Sequence, residues 1–160
     1  MEMEINRSGQ LWWGVTGLTM MVLYWLSNVV LWLPWSYNPQ LGILMMLTVN
    51  PIFWGIGIYF CLACGSNVES LVKKTLIISA VAVGVSLISD YLFFAVYMKS
   101  KDVWHITTFY GYAWLVVLAF GEAFLLRKRL KRRQFVASGK TLLLLAGGLL
   151  LLLVFLACLI

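Results

Sequence analysis

"TLLLLAGGLLLLLVFLACLI", Thr141 to Ile160, holds twenty residues and no charge. At ~1.5 Å of rise per residue it makes a helix about 30 Å long, the thickness of a bilayer's hydrocarbon core. Its leucine runs show none of the period-two alternation of a membrane β-barrel strand, so the stretch reads as a transmembrane helix. Four other segments reach the same length. The sequence therefore predicts five spans, at about 11–33, 41–64, 75–98, 106–126 and 141–160. The breaks between them carry turn or charge signals: "PWSYNPQ", "GSNVESLVKK", "KSKDVWH" and "RKRLKRRQFVASGK". The first segment is too long for the apolar core of a signal peptide and is read as a true span.

Composition agrees. Hydrophobic residues make up 62% of the 160 positions and charged residues 11%, against roughly 25% charged in soluble domains. The expected fold is an all-α integral membrane protein, one domain over residues 1–160 with five transmembrane helices and a basic cytoplasmic connection at 127–140. The net charge of +6 does not point to nucleic acid. The cations gather at helix ends and form no face with interleaved aromatics.

Those cations set the expected orientation, because short basic loops stay in the cytoplasm. Arg127, Lys128, Arg129, Lys131, Arg132 and Arg133 follow the fourth span, and Lys73 with Lys74 precede the third. With five spans both groups fall on the side of the amino terminus. The amino terminus is thus expected inside and the carboxyl terminus outside, in a cell's inner (cytoplasmic) membrane. Trp12 and Trp13 then lie near the inner interface, and Trp32, Trp35, Tyr37 and Trp104 near the outer one, as aromatic belts do. The basic run anchors this topology and offers a surface to anionic lipid head groups.

Polar residues inside the spans are the candidate site. "VSLISDYLFFAVYM", Val85 to Met98, contains Asp90 with no basic residue within eight positions. A charge near a bilayer centre costs roughly 2.5–3.5 kcal/mol on insertion scales, so such a carboxyl is expected to face the bundle. Asp90 lies about 12 Å from the outer end of its helix, Asn50 about 14 Å and Asn28 about 8 Å from theirs. Helical spacing places Ser79, Ser86, Asp90 and Tyr97 on one stripe, and Asn50, Trp54, Gly57, Cys61 and Cys64 on another. Gly14, Gly17, Met21, Tyr24 and Asn28 form a third; Gly111, Ala119 and Glu122 form a weaker fourth. The expected polar seam is Asn28, Asn50, Ser86, Asp90 and Tyr97. In one reading Asp90 fixes packing through Asn28, Asn50 or a tyrosine; in the other it relays protons or binds a cation or substrate.

Pro51 is expected to kink its helix, because it has no N–H for the Leu47 carbonyl. Glu122 lies about 6 Å above the basic run and is expected to pair with Arg129, or to serve as a second protonatable site. Their different depths argue against an Asp90–Glu122 dyad sharing one proton. His105 is the only histidine and is read as interfacial; it cannot assemble the three or four ligands of a zinc centre, so no metal is expected. "CLAC" at Cys61–Cys64 falls at the reducing, cytoplasmic end and has only Cys158 as a further cysteine, so the pair is read as small apolar packing residues.

The chain contains no phosphate-binding loop, dinucleotide fingerprint, nucleophile elbow or H-E-x-x-H motif, and no cofactor is expected. The first functional expectation is an accessory or interaction protein that stabilises or regulates another membrane component, with lipid and a membrane protein or second copy as partners. Its candidate contact is the fifth helix, where Ala146, Gly147 and Gly148 permit close approach. The alternatives are a small proton-coupled carrier built on Asp90 and Asn50, and a lipid-acting enzyme with Asp90 and His105 as its acid–base pair.

Overall fold

The computed structural model describes residues 2–66, 68, 70–99, 106–132 and 135–159. Asp102, Trp104, His105 and Arg133 lie outside the described residues. All regular structure among those described is helical: α1 (Glu2–Tyr37), α2 (Pro39–Leu47), α3 (Val49–Ala63), α4 (Leu71–Asp90), α5 (Ile106–Leu125), α6 (Arg127–Arg132) and α7 (Gly139–Leu159). A π-helical stretch, Tyr91–Tyr97, extends α4. Five stretches are long and apolar enough to cross a membrane: Gly9–Leu31, Pro39–Ala63, Leu71–Tyr97, Thr108–Leu125 and Gly139–Cys158. The chain runs back and forth between a basic end, where α6 lies, and a far end, where α1 meets α2.

α1 is the axis of the bundle. It packs along α3, α4 and α7, while α5 closes the other side against α3 and α4. Trp12, Val15 and Met20 of α1 are fully buried with Ile58 of α3 and Ile78 and Ala82 of α4. Close approach depends on missing side chains. A Cβ at Gly57 would fall 2.2 Å from Leu23 Cδ1, and one at Gly14 would fall 2.7 Å from Leu142 Cδ1. Gly17, on the same stripe as Gly14, has open space around it and admits no neighbour.

α7 is held differently. Its half-buried residues Leu142, Leu145, Leu149, Leu152 and Leu156 recur at alternating steps of three and four, the spacing of a coiled-coil seam. Its extended packing is against α1 alone. Only 6% of its apolar window is buried, against 44% for α1, which puts α7 at the rim.

The structure corrects the sequence in four places. The expected loop "PWSYNPQ" shrinks to Asn38: α1 runs through Pro34 to Tyr37, the Asn38 side chain accepts from Gln40 N at 2.9 Å, and Pro39 opens α2. Proline at that position is favourable because its missing N–H would have no helical partner. The span expected at 41–64 is two helices with a break at Thr48 (φ −112°, ψ −65°). Pro51 cannot donate to Leu47, and Thr48 satisfies the previous turn, its N–H and its hydroxyl reaching the Leu44 carbonyl at 3.0 and 2.7 Å. The third span begins at Leu71, so Lys74 is inside a helix. Last, α-helical geometry ends at Asp90, and Met98 N donates to Phe93 O at 2.9 Å, five residues back. Lys99, at φ 53°, ends the element.

Candidate functional site

Asp90 sits where α4 turns into its π extension, and three segments converge on it. Its Oδ1 accepts from the Tyr24 hydroxyl at 2.5 Å and its Oδ2 from the Tyr112 hydroxyl at 2.5 Å. Tyr24 belongs to α1 and Tyr112 to α5, so one carboxyl joins three helices. Each helix supplies its part through its own periodicity. Tyr24 is buried on α1 among Met20, Leu23 and Ser27. On α5 the inward face runs through Tyr112, Leu115, Ala119 and Ala123, at steps of three and four.

Asn28 acts one step removed. Its Nδ2 donates to the backbone carbonyl of Tyr24 at 2.9 Å, one turn back, and so braces the helix segment that presents the phenol. An aromatic wall flanks the carboxyl, where Trp25 meets Tyr24 edge-on at 5.3 Å and Phe93 at 5.6 Å. Ser86 and Ser89 are buried on α4 beside Asp90.

Two residues of the expected seam make no hydrogen bond to Asp90 among the described residues. Tyr97 is 62% exposed and stacks on Phe93 at 5.7 Å. The seven-residue step from Asp90 to Tyr97 returns to one face in an α-helix, and the wider π turn breaks that phase. Asn50 lies in the first turn of α3 with Oδ1 buried and unpartnered, and Asp90 is held by the tyrosines. Glu122 points toward α3: a Cβ at Gly55 would fall 2.8 Å from its Oε1, while Oε2 is buried without a hydrogen-bond partner. Arg129 is exposed on α6.

A second polar centre lies at the basic end. Lys74, 8% exposed, donates to the Cys64 carbonyl and lies 5.5 Å from the centre of the Trp12 ring. The Trp12 indole in turn donates to the Cys61 carbonyl at 3.1 Å. Cys61 and Cys64 are free thiols, buried, and placed here as packing residues around that lysine. Cys64 also begins a short backbone pairing: Gly65 N donates to Phe135 O at 2.7 Å and Phe135 N to Ala63 O at 2.8 Å.

Sequence reasoning missed Tyr112 and Lys74. It started the α5 stripe at Gly111, one position away, although the run from Tyr112 to Ala119 by threes and fours was available. It placed Lys74 in a loop with Lys73, although Lys74, Ile78 and Ala82 recur at the spacing of one buried helical face. Among the described residues, no group of three His, Cys, Asp or Glu side chains is placed to hold a metal ion. No protein-family model, curated protein or solved structure matches this chain.

Proposed function

We propose that this chain is a multi-pass protein of a cell's inner membrane, amino terminus in the cytoplasm and carboxyl terminus outside, that acts as an accessory to another membrane protein. The observation that carries the reading is on α7. Gly147 and Gly148 are exposed mid-helix, Gly147 opposite the leucine seam that meets α1 and Gly148 at its edge, and an added Cβ at either would touch nothing within 4 Å. Glycine costs helix stability, about 1 kcal/mol relative to alanine, and in membranes small residues mark surfaces where a second helix comes close. In this reading Asp90 is the clamp that fixes α1, α4 and α5 while α7 meets the partner.

The test is purification in mild detergent with an affinity tag. A stoichiometric second protein should co-purify with the native chain and be lost from Gly147→Leu/Gly148→Leu. An isolated protein that carries proton flux in vesicles, with the flux abolished by Asp90→Asn, would overturn it in favour of a proton-coupled carrier. One observation favours that second reading: the π-helical stretch starts directly after Asp90, and π turns within helices gather at functional sites.

A further inference from the structure

A cavity of about 570 Å³ opens at the basic end, between the first turns of α4 and the junction of α5 with α6. Arg127 and Lys131 line it from α6, four residues apart and therefore on one face. All five cations of this short helix are exposed, but Lys128, Arg129 and Arg132 do not line the cavity. The helix thus sorts its cations, and only part of the basic run faces the cavity. Lys74 adds a third positive charge, held in place by the Cys64 carbonyl and the Trp12 ring. Ser70, whose hydroxyl does not cap α4, also lines the wall. No carboxylate is among the described residues of the lining.

Apart from Ser66, Ser70 and Thr75, the rest of the lining is apolar. Phe120 and Phe124 of α5 contribute apolar surface, and Phe124 is 81% exposed, on the outer surface of a helix apolar enough to cross a membrane. Cations within and aromatic surface at the rim suit an amphiphile that carries a phosphate. A small soluble anion would use only the first.

We propose that this cavity binds the phosphate of an anionic phospholipid, with Arg127 and Lys131 on the phosphate oxygens, Lys74 as a fixed charge behind them, and an acyl chain along Phe120 and Phe124. The proposal rests on the reading that the chain is membrane-embedded with its basic end at the cytoplasmic face. A soluble phosphate shares the head-group chemistry, and the test separates the two sources.

The full chain, purified in uncharged detergent, is titrated with short-chain phosphatidylglycerol, phosphatidylcholine or inorganic phosphate, and retention is read by native mass spectrometry. Phosphatidylglycerol should be retained in preference to phosphatidylcholine. Arg127→Ala/Lys131→Ala should weaken that retention by at least roughly tenfold, because each removes a charge-assisted hydrogen bond to a phosphate oxygen. Lys128→Ala/Arg129→Ala removes the same net charge and should leave retention unchanged. Equal loss in both pairs would mean a diffuse basic surface and overturn the site, as would equal retention of the two lipids. Binding of inorganic phosphate without lipid would overturn the lipid assignment and give the cavity to a soluble anion. A chain that never joins vesicles on reconstitution defeats the membrane reading itself, an outcome distinct from all of these.

Discussion

Asp90, half-buried, and Lys74, buried, are an acid and a base on the same helix, and the bundle holds them by different means. Asp90 is held by side chains alone, the hydroxyls of Tyr24 and Tyr112 from two other helices. Lys74 is held by a backbone carbonyl and the face of a ring. The first arrangement is specific, since each bond depends on one residue type, and changing any of three residues breaks it. The second tolerates change, because the carbonyl of Cys64 is present whatever side chain stands there. The acid is therefore expected to be the sensitive centre of the bundle and the base the robust one.

Asp90→Leu should give the largest effect. It leaves the buried Tyr24 and the half-buried Tyr112 without an acceptor for their hydroxyls and should cost roughly 3 kcal/mol of stability in a detergent unfolding titration. A wild-type midpoint would show that the three-helix clamp does not hold the bundle. Tyr24→Phe and Tyr112→Phe come next, at about 1 kcal/mol each, in the range of interhelical hydrogen bonds inside membranes. In the Asp90→Leu background each Tyr→Phe change should cost nothing or recover stability, because the hydroxyl it removes has already lost its acceptor; full additivity would mean that the hydroxyls act elsewhere. Lys74→Met should cost less, about 0.6 kcal/mol, because the methionine keeps contact with Trp12 and one carbonyl loses a donor. A loss larger than that of Asp90→Leu would reverse the comparison. The smallest effect is expected for Arg129→Ala, under about 0.5 kcal/mol, since exposed positions away from buried partners rarely matter more.

The five apolar stretches were legible because length and lack of charge are properties of the chain itself, and their bounds moved by only a few residues. Asp90 was legible as an inward carboxyl for the same reason: a charge flanked by apolar residues has few places to go. Its partners were harder to read. Periodicity assigns a residue to a face, but it does not say which of several tyrosines on a neighbouring helix reaches across. The π turn after Asp90 carries no motif, and one change of hydrogen-bond spacing moved Tyr97 from the seam to the surface. Lys74 was hidden by a general expectation that lysines belong to loops, which holds until a carbonyl and a ring are placed to receive one.

The pairing between residues 63–65 and Phe135 uses amide and carbonyl atoms only. Nearly any side chain can occupy Gly65 or Phe135 without removing its two bonds, so substitutions chosen by side-chain chemistry will not detect it. Proline is the exception, because it takes away the N–H that each bond requires. The connection leading into α7 is therefore free to vary in sequence while its path past the end of α3 stays fixed.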